Sequence, residues 1–406
     1  MVSNTTGGVS FDTDEETALI LDSIDEFIDR EVEPIVEDLG DTYTNPRKGH
    51  HENGRWTDEL LAAREEIRRK SAEAGFYAMN LPEDAGGDGI SPVTWYRAKK
   101  HLATHGGGLE RYVLAGPEGP KPLLLQAEGD QREDYLEPVV RGEKSTAFGQ
   151  TEPGVGSDSP NMETTAEKDG DEWIINGRKQ WITNAPYADF IQLFARTTPQ
   201  EEAGRYGGIT CFIVEADEYE IGSYNNAVGA EGTQAEVILD GVRVPDDRVL
   251  GEVDEAFYAA MDFLSLGRLE LGAEAVGYSE YLLEEAGEYV TEREAFGEPI
   301  GNFQQVSAKL AKGRAKTYAA DAAGLKLAWK MAQDERTIMD SSVLKWFATN
   351  VLWEVADAAV QVNGANGLAE ESPYMDLVHQ ARILRIVEGT DEIQLNTIAK
   401  SMGITD

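Results

Sequence analysis

The sequence predicts an α+β fold in three parts: an N-terminal helical domain over residues 1–144, a middle β-barrel or sandwich-like domain over 145–248, and a C-terminal helical bundle over 249–406. Two observations lead to this prediction. Apolar residues recur at helical spacing on both sides of the middle region. Within the middle region they form short β-branched and aromatic runs that are separated by turn residues.

The N-terminal part is predicted to be helical from its amphipathic segments. Residues 14–36 place Leu19, Ile24, Phe27 and Val32 at helical spacing among acidic residues. Further helices are predicted over 56–74 and 93–104, on either side of a loop at 82–89 that is rich in helix-breaking residues. We therefore expect at least three helices before the middle region.

The middle part is predicted to be a set of short strands. Hairpin or strand-edge turns are expected at three dipeptides, Asp169-Gly170, Asn176-Gly177 and Asp240-Gly241. Residues 180–184 are predicted to begin a strand, and because side chains alternate along a strand, Trp181 and Thr183 would point to one face.

The C-terminal part is predicted to be a helical bundle. Long stretches rich in Ala and Leu cover residues 255–292, 303–333 and 338–363. They have helical periodicity without the hydrophobicity of membrane spans, and such helices usually bury their apolar faces against one another.

Composition limits the classes of protein that the chain can belong to. With 406 residues and 41% hydrophobic content, the chain can bury a full core. It contains no signal-like segment and no apolar run near the roughly 20 residues that span a bilayer, so we expect a cytoplasmic protein without membrane insertion. Cys211, the single cysteine, lies in the apolar run 209–214 and is predicted to be a core residue.

The charge is strongly acidic: 75 acidic against 36 basic residues give a formal net charge of -39. Nucleic acids and anionic membranes are disfavoured as partners because both require basic residues that neutralise phosphate. Molar salt shortens the Debye length to ~3 Å and would screen the self-repulsion. A halophilic source is therefore a hypothesis, and full activity after dialysis into low-salt buffer would contradict it.

Residues 147–158 read Ala-Phe-Gly-Gln-Thr-Glu-Pro-Gly-Val-Gly-Ser-Asp. Pro153 and its neighbouring glycines form a constrained turn, which lets backbone amides and the Thr151 hydroxyl approach a ligand closely. Trp181 and Thr183 supply an indole and a hydroxyl that can stack beside and hydrogen-bond to a planar ring. Taken alone, that pair is more often part of a strand's packing face.

Residues 386–394 read Ile-Val-Glu-Gly-Thr-Asp-Glu-Ile-Gln. Apolar neighbours would desolvate Glu388, and Asp391 with Glu392 would repel a further negative charge. Both effects favour the protonated form of a carboxyl group, which makes its carboxylate a better base. Gly389 leaves space for a substrate beside that base. An acidic surface turn is the alternative for this segment in isolation.

Three further segments lie between these motifs: Arg293-Glu294-Ala295-Phe296-Gly297, Phe303-Gln304 and residues 361–367. Together, the segments resemble the acyl-CoA dehydrogenase family over nearly the whole chain. The resemblance implies that family's fold, with a C-terminal four-helix bundle, and FAD as cofactor. Glu388 would be the catalytic base. The flavin contacts implied by the resemblance are Phe148, Gln150, Thr151, Trp181, Thr183, Arg293, Phe296, Gln304, Gln361, Gly364, Thr390 and Glu392. The implied substrate contacts are Ser157, Arg268 and Gly389.

Further details follow from the same resemblance. In the family the guanidinium at position 293 meets the FAD pyrophosphate. The segment 361–367 reaches the cofactor of a neighbouring subunit, which implies a homodimer or homotetramer. Ala295 and Ala365 depart from the family's frequent Thr and Gly. Some members carry the base just before an arginine resembling Arg268, and that position is Gly267 here.

The reaction implied is oxidation of a saturated acyl-CoA to the 2,3-enoyl-CoA. Glu388 would remove the alpha proton, the flavin N5 would accept the beta hydride, and an electron-transferring flavoprotein would accept the electrons. Alternatives within enzymes are an acyl-CoA oxidase and a decarboxylating acyl-CoA dehydrogenase. A non-enzymatic flavin-containing binding protein is the alternative of another class, but the family's DNA-binding branch needs basic charge that this chain lacks. A purely structural helical bundle is the remaining possibility.

Overall fold

The computed structural model describes residues 12–405, apart from residues 46, 47, 229, 231 and 371. Twelve α-helices are described, in chain order: α1 Glu15–Phe27, α2 Glu33–Leu39, α3 Asp41–Thr44, α4 Asp58–Glu73, α5 Pro92–Ala103, α6 Glu137–Val140, α7 Gln200–Ala203, α8 Ala256–Glu292, α9 Gln304–Met331, α10 Ile338–Asn363, α11 Tyr374–Leu384 and α12 Asp391–Ser401. Two π-helical segments are described, at Ile28–Val32 and Arg132–Leu136. Short 3₁₀ segments lie at Glu83–Ala85, Leu109–Val113, Pro122–Gln126, Ser159–Asn161, Asp246–Arg248, Ile300–Asn302 and Gly364–Leu368.

The described strands are β1 Thr146–Gly149, β2 Thr165–Asp169, β3 Glu172–Thr183, β4 Phe190–Arg196, β5 Ile209–Glu215, β6 Glu220–Tyr224, β7 Gln234–Pro245, β8 Val249–Leu250, β9 Glu294–Ala295 and β10 Glu298–Pro299. Strands β1 to β8 form one mixed sheet in the order β6-β7-β3-β2-β4-β5-β8, with β1 paired in parallel to β4. The two short strands β9 and β10 form an antiparallel pair.

The chain divides into two compact units. The first contains the described residues within 1–27, 90–108 and 265–406. It is helical, and α10 packs against α9, α11 and α12, while α5 packs against α1 and α9. Its core is built from small and branched apolar residues such as Ala273, Leu282, Leu344 and Val355. Alanine-rich faces let these helices approach closely, which explains why the Ala- and Leu-rich stretches form a bundle.

The second unit contains residues 28–89 and 109–264. Its sheet is buried on both faces at β4 and β5. Phe190 and Phe194 of β4 join a core cluster on one face, while Ile191 and Leu193 join a separate cluster on the other. Cys211 of β5 is fully buried in the first of these clusters, so its prediction as a core residue is confirmed. Burial raises the pKa of the Cys211 thiol and makes it a poor nucleophile.

Two predicted turns are wrong. Asp169-Gly170 does join β2 to β3, but Asn176-Gly177 lies within β3 and Asp240-Gly241 within β7. The two strands pair with a register shift between Ile175 and Gly177. There Asn176 Oδ1 accepts a hydrogen bond of 2.8 Å from Gly241 N. The local turn signal therefore serves a β-bulge in a long strand pair.

The predicted fold class is confirmed, with helical N- and C-terminal regions on either side of a β-sheet region. The long predicted helices also match, since residues 255–292, 303–333 and 338–363 correspond to α8, α9 and α10. The boundaries at 144/145 and 248/249 divide the chain by secondary structure and stay a prediction. None of the helices in the described part of the chain is long and apolar enough to cross a membrane.

Candidate active site

Glu388 lies in the first compact unit, in the loop that joins α11 to α12. Its backbone is left-handed, with φ 52°, and that of Gly389 is also left-handed, with φ 92°. Consecutive left-handed residues reverse the chain sharply. Thr390 then caps α12, because its side-chain oxygen accepts a hydrogen bond of 3.4 Å from Ile393 N. The loop therefore presents Glu388 and Gly389 immediately before a helix N-terminus.

Two buried side chains hold this loop through its carbonyl oxygens. Lys345 Nζ on α10 donates a hydrogen bond of 2.8 Å to Gly389 O. Gln394 Nε2 on α12 donates to the same oxygen at 2.8 Å and to Glu388 O at 3.1 Å. Both side chains are fully buried. Burial lowers the pKa of Lys345 to about 8, with Asp391 and Glu388 opposing the shift, so the ammonium form predominates at neutral pH.

The Glu388 carboxylate lies against α8 at Gly267. A Cβ atom added at Gly267 would lie 2.7 Å from Glu388 Oε1 and 2.8 Å from its Cδ, and closer still to Oε2. The absence of a side chain at position 267 therefore makes room for the carboxylate. A side chain at position 267 would therefore occupy the same space as that of Glu388, and these are the two alternative positions for the base.

Arg268 follows Gly267 on α8 and is buried. Its Nη1 donates a hydrogen bond of 3.3 Å to Ser342 Oγ, and among the described residues its Nε has no hydrogen-bond partner. Burial lowers the pKa of Arg268, while the Glu388 carboxylate opposes that shift. A buried guanidinium with an unused donor beside a candidate base is typical of a site that receives a polar ligand atom.

Asp391, which was predicted to repel a negative charge on Glu388, takes part in an ion pair of its own. Asp391 Oδ2 accepts hydrogen bonds from Arg385 Nε at 2.7 Å and from Asn350 Nδ2 at 3.2 Å. This ion pair compensates the charge of Asp391 and fixes the start of α12. The predicted shielding by Ile386 is also incomplete, because that side chain is exposed in this structure.

Gly267→Ala should reduce turnover without unfolding the protein. The added methyl group must displace the Glu388 carboxylate, which is the flexible end of a side chain, and a misplacement of about 1 Å can cost on the order of 10²-fold in rate. An alanine within a helix is by itself favourable, by about 1 kcal/mol. We expect an unchanged or higher melting temperature together with lower kcat, measured with an acyl-CoA substrate.

Gly287→Ala is the matched control, because it lies on the same helix and a Cβ atom there would meet no described atom within 4 Å. It should keep wild-type activity. Equal kcat for the two variants would remove Gly267 from the site.

The first flavin-type motif lies in the second unit, on β1 and the loop after it. Lys179 Nζ on β3 holds this loop by donating to Gln150 O at 3.2 Å and to Glu152 Oε1 at 2.7 Å. Glu152 also accepts from the backbone N–H groups of Glu163 and Thr164, at 2.5 and 3.0 Å. The Lys179–Glu152 ion pair is buried, with side-chain exposures of 0% and 4%.

The two charges of this pair shift each other's pKa. Burial lowers the pKa of Lys179 to about 8, although Glu152 opposes that shift. Burial also acts to raise the pKa of Glu152, but the charge of Lys179 and the hydrogen bond from Glu163 outweigh it and lower the pKa. The hydrogen bonds of Lys179 therefore tie the loop after β1 to β3.

Trp181 and Thr183 lie at the end of β3, not at the beginning of a strand as predicted. The pairing of β3 with β7 shifts register between Lys179 and Ile182, and Trp181 has φ 60°. The backbone N–H of Trp181 donates a hydrogen bond of 3.2 Å to Asn225 Oδ1, and the Trp181 side chain is 52% exposed. The bulge therefore turns the indole outward, although simple alternation would not have done so.

Other candidate residues of the first motif are accessible. Phe148 is partly exposed and packs against Phe194, with ring centroids 4.8 Å apart. Ser157 is exposed, and Thr151 is half-buried. The Gln150 side-chain nitrogen is buried, and in the described part of the chain it has no hydrogen-bond partner. A buried amide donor without a partner favours a bound ligand at this loop.

The remaining candidates lie on the exposed surface of the first unit: Arg293, Phe296, Gln304, Gln361, Gly364 and Glu392. Phe296 is 98% exposed and has φ 56°. Its ring meets Phe303 edge-on, at 6.0 Å between centroids. Arg293 O accepts a hydrogen bond of 2.8 Å from Ile300 N, which closes this turn. A fully exposed phenylalanine on an ordered turn is typical of a surface that another molecule covers.

Backbone strain coincides with the candidate residues. Six described non-glycine residues have a left-handed φ, and three of them, Trp181, Phe296 and Glu388, were selected from the sequence as site residues. Such conformations cost ~1–3 kcal/mol each and cluster at functional sites.

The supporting roles of four residues were not predicted from the sequence: Lys345, Gln394, Lys179 and Glu152. A signal for Lys345 was present, because it lies close to Leu344, Ala348 and Leu352 on a face of α10 that is buried. A lysine on a buried helix face requires a buried acceptor. No comparable sequence signal singles out Lys179.

The chain is similar to known proteins over almost its whole length. Sequence models of the acyl-CoA dehydrogenase N-terminal, middle and C-terminal domains match residues 14–143, 147–242 and 255–403. A 3-(aryl)acrylate reductase of Clostridium sporogenes is 32% identical over 96% of this chain and 98% of its own. A caffeyl-CoA reductase-Etf complex subunit of Acetobacterium woodii is 32% identical over 82% of this chain and 89% of its own.

Among solved structures, butyryl-CoA dehydrogenase from Megasphaera elsdenii superposes with a TM-score of 0.82 at 29% identity, covering 97% of this chain and 99% of that one. The three domain models together cover nearly the whole chain, in the order that the motifs predicted. The chain therefore belongs to the acyl-CoA dehydrogenase family of FAD-dependent oxidoreductases.

Proposed function

We propose that this protein interconverts an acyl-CoA and its 2,3-enoyl-CoA, acting chiefly in the direction of oxidation, with Glu388 as the base at the alpha carbon. The observation that carries the proposal is the position of the Glu388 carboxylate, which lies against Gly267 and beside the buried Arg268. Removal of an alpha proton requires a carboxylate that is fixed in position, and the loop is held by Lys345 and Gln394.

The residues present fit a flavin. The buried Gln150 amide and the Thr151 hydroxyl offer hydrogen bonds, and the exposed Trp181 indole offers a face for stacking. When bound, FAD supplies the acceptor for the hydride from the beta carbon. Phe148, Thr183, Thr390 and Glu392 would border the ring, and Arg293, Phe296, Gln304, Gln361 and Gly364 would meet the remainder of the cofactor, in part on a neighbouring subunit.

The protein's own contributions to the reaction are proton transfer, polarity and position. Glu388 takes the alpha proton, and in the family the backbone N–H of the base residue donates to the thioester carbonyl. That hydrogen bond strengthens as enolate charge develops. Gly389 leaves space for the thioester, and Ser157 and Arg268 would border the substrate. The left-handed backbone at Glu388 fixes the direction of both the N–H and the side chain.

The test is anaerobic mixing of the purified, FAD-loaded protein with a panel of saturated acyl-CoA thioesters that differ in chain length and branching. Loss of flavin absorbance with at least one thioester, with formation of the enoyl-CoA, is the expected result. A loaded protein that remains oxidised with every thioester would contradict the oxidation. Hydrogen peroxide formation in air would instead indicate an oxidase, and carbon dioxide release from a dicarboxyl thioester would indicate the decarboxylating reaction.

A second candidate function is the reverse reaction, reduction of a 2,3-unsaturated aryl thioester. It is favoured by the relatives named as 3-(aryl)acrylate reductase and caffeyl-CoA reductase subunit. The same residues would serve, because Glu388 would then deliver the alpha proton. Chemically reduced protein mixed with cinnamoyl-CoA should regain flavin absorbance if this direction is accessible, and crotonyl-CoA is the aliphatic control.

We further propose an electron-transferring flavoprotein as electron partner and a homodimer or homotetramer as the assembly. The first is supported by the Etf complex named for one relative. The second is supported by large exposed apolar side chains on the first unit, which include Phe296, Tyr318 and Leu368. Surfaces of this kind are usually covered by a partner subunit.

Arg293→Ala and Gln361→Ala should weaken FAD retention more than they slow turnover at saturating FAD. Loss of one charged hydrogen-bond partner costs ~1.5–3 kcal/mol, or about ten- to a hundredfold in affinity. The measurement is the FAD content after dilution and ultrafiltration. Arg336→Ala, also exposed on the first unit, is the control. Variants that retain FAD as the control does would place the cofactor elsewhere.

A further inference from the structure

A side chain of α1 and two of the α5 region converge away from the Glu388 loop, in the first compact unit. Asp25 Oδ1 lies 2.6 Å from His101 Nε2 and 3.1 Å from His105 Nε2. The two imidazole rings are nearly perpendicular, with centroids 5.7 Å apart. The chain has only five histidines, and two of them meet at one carboxylate oxygen.

The positions of the two histidines explain part of this convergence. Residues four apart lie on one face of a helical turn, so His101, near the end of α5, and His105, just beyond it, are neighbours. Packing of α1 on α5 requires no carboxylate there. Both imidazoles present Nε2 to the same carboxylate oxygen.

The distances between the ligand atoms suit a small metal ion. The three ligand atoms lie within 4.8 Å of one another. Bonds of roughly 2.0–2.1 Å at tetrahedral angles place neighbouring ligand atoms about 3.3 Å apart. The separations of 2.6 and 3.1 Å between carboxylate and imidazole atoms therefore need to open by only a fraction of an ångström. The side chains are partly exposed, so an ion can reach them from solvent.

We propose that Asp25, His101 and His105 bind one divalent transition-metal ion, with Zn²⁺ as the preferred class. Two neutral imidazoles and a carboxylate are ligands that suit zinc, cobalt and nickel, and water would complete the coordination. Mg²⁺ and Ca²⁺ prefer sites made of oxygen ligands alone and should bind poorly. The ion would cross-link α1 to α5. This inference is independent of the proposed acyl-CoA reaction.

The experiment must separate this site from general attraction of cations to a chain of net charge -39. FAD-loaded protein, stripped of metal with a chelator and then desalted, is titrated calorimetrically with Zn²⁺ in the presence of excess Mg²⁺. We expect one Zn²⁺ per chain. Substitution of a residue that merely hydrogen-bonds to a metal ligand already costs ~10- to 100-fold in metal affinity. Substitution of a ligand itself should therefore cost at least as much, in each of the variants His101→Gln, His105→Gln and Asp25→Asn.

Matched controls are Asp22→Asn, an exposed acid on α1, and His51→Gln, an exposed histidine of the other unit; both should bind Zn²⁺ as the wild type does. Zn²⁺ should also raise the melting temperature of the wild type and both controls, but not of the three ligand variants. Co²⁺ added to the wild type should give d–d absorption bands of a specific site, a readout that needs no variant.

Loss of Zn²⁺ binding confined to the three ligand variants supports the site. Equal binding by ligand variants and controls, or abolition of binding by excess Mg²⁺, would show adsorption to an acidic surface and overturn the proposal. Failure of the wild type to bind Zn²⁺ and Co²⁺ would leave the three side chains as a hydrogen-bonded cluster and would overturn it equally.

Discussion

Glu388→Gln is expected to abolish flavin reduction by acyl-CoA while FAD remains bound. Glutamine keeps the size of the side chain, so it fits the space beside Gly267, but it has no basic oxygen. Lys345 and Gln394 hold the loop through backbone carbonyl groups, which the substitution leaves intact. A positioned general base contributes ~10²- to 10⁴-fold in rate, and a thioester is a weak carbon acid, so the loss should lie at the upper end or beyond.

The measurement is anaerobic stopped-flow absorbance of the flavin. Substrate should still bind and perturb the spectrum of the variant, without the bleaching that follows proton removal. Glu388→Asp retains a carboxylate but withdraws it from α8 by one methylene, so its rate should lie between those of the wild type and Glu388→Gln. Glu284→Gln, on the exposed side of α8, is the control for the chemical change. A near-wild-type rate in Glu388→Gln would assign the base to another residue.

Lys179→Met is expected to destabilise the second unit by ~3–5 kcal/mol, because it leaves Glu152 buried without its counter-charge. The side chains of the pair are 0% and 4% exposed, so water cannot replace the lost partner. Gln150 O also loses its donor, and the loop after β1 should loosen. We therefore expect weaker FAD retention and a lower urea midpoint of unfolding. The midpoint is measured by far-UV circular dichroism of the FAD-loaded protein.

A double variant distinguishes the buried charge from other effects. Lys179→Met with Glu152→Gln removes both charges and should recover part of the lost stability. Lys168→Met on the neighbouring strand β2 breaks an exposed ion pair with Asp246 and should cost no more than ~1 kcal/mol. If Lys179→Met and Lys168→Met had the same urea midpoint, the buried pair would contribute nothing special to the fold.

The long helices and the family motifs could be predicted from sequence because their signals are local. The periodicity of α8, α9 and α10 extends over many turns. The turn predictions failed where pairing with a distant strand overrode the local turn signal. Asn176-Gly177 has the composition of a turn, but its partner strand β7 stabilises an extended backbone. A Cβ atom at Gly177 would lie 2.7 Å from Thr164 Cα, so close packing explains this glycine better than a turn does.

The candidate site residues could be selected from sequence motifs, but the side chains that hold their loops could not. Glu388 and Trp181 belong to motifs that can be read directly. Lys345 and Lys179 carry side chains that are usually exposed, and their burial depends on acceptors 44 and 27 positions away in the chain. The helical periodicity of α10 indicates that Lys345 is buried, but no periodicity identifies the distant acceptor of either lysine, because these contacts arise only when separate helices and strands assemble.

The left-handed backbone at Glu388 has an evolutionary consequence. A residue with a Cβ atom pays ~1–2 kcal/mol for this conformation, and glycine does not. Selection for thermal stability alone would therefore favour glycine over glutamate, whereas selection for the proposed reaction would favour glutamate. A descendant gene released from that selection should drift to glycine or asparagine at this position while its fold persists. The identity of this one residue would then indicate, from sequence alone, which copies of a duplicated gene still encode the enzyme.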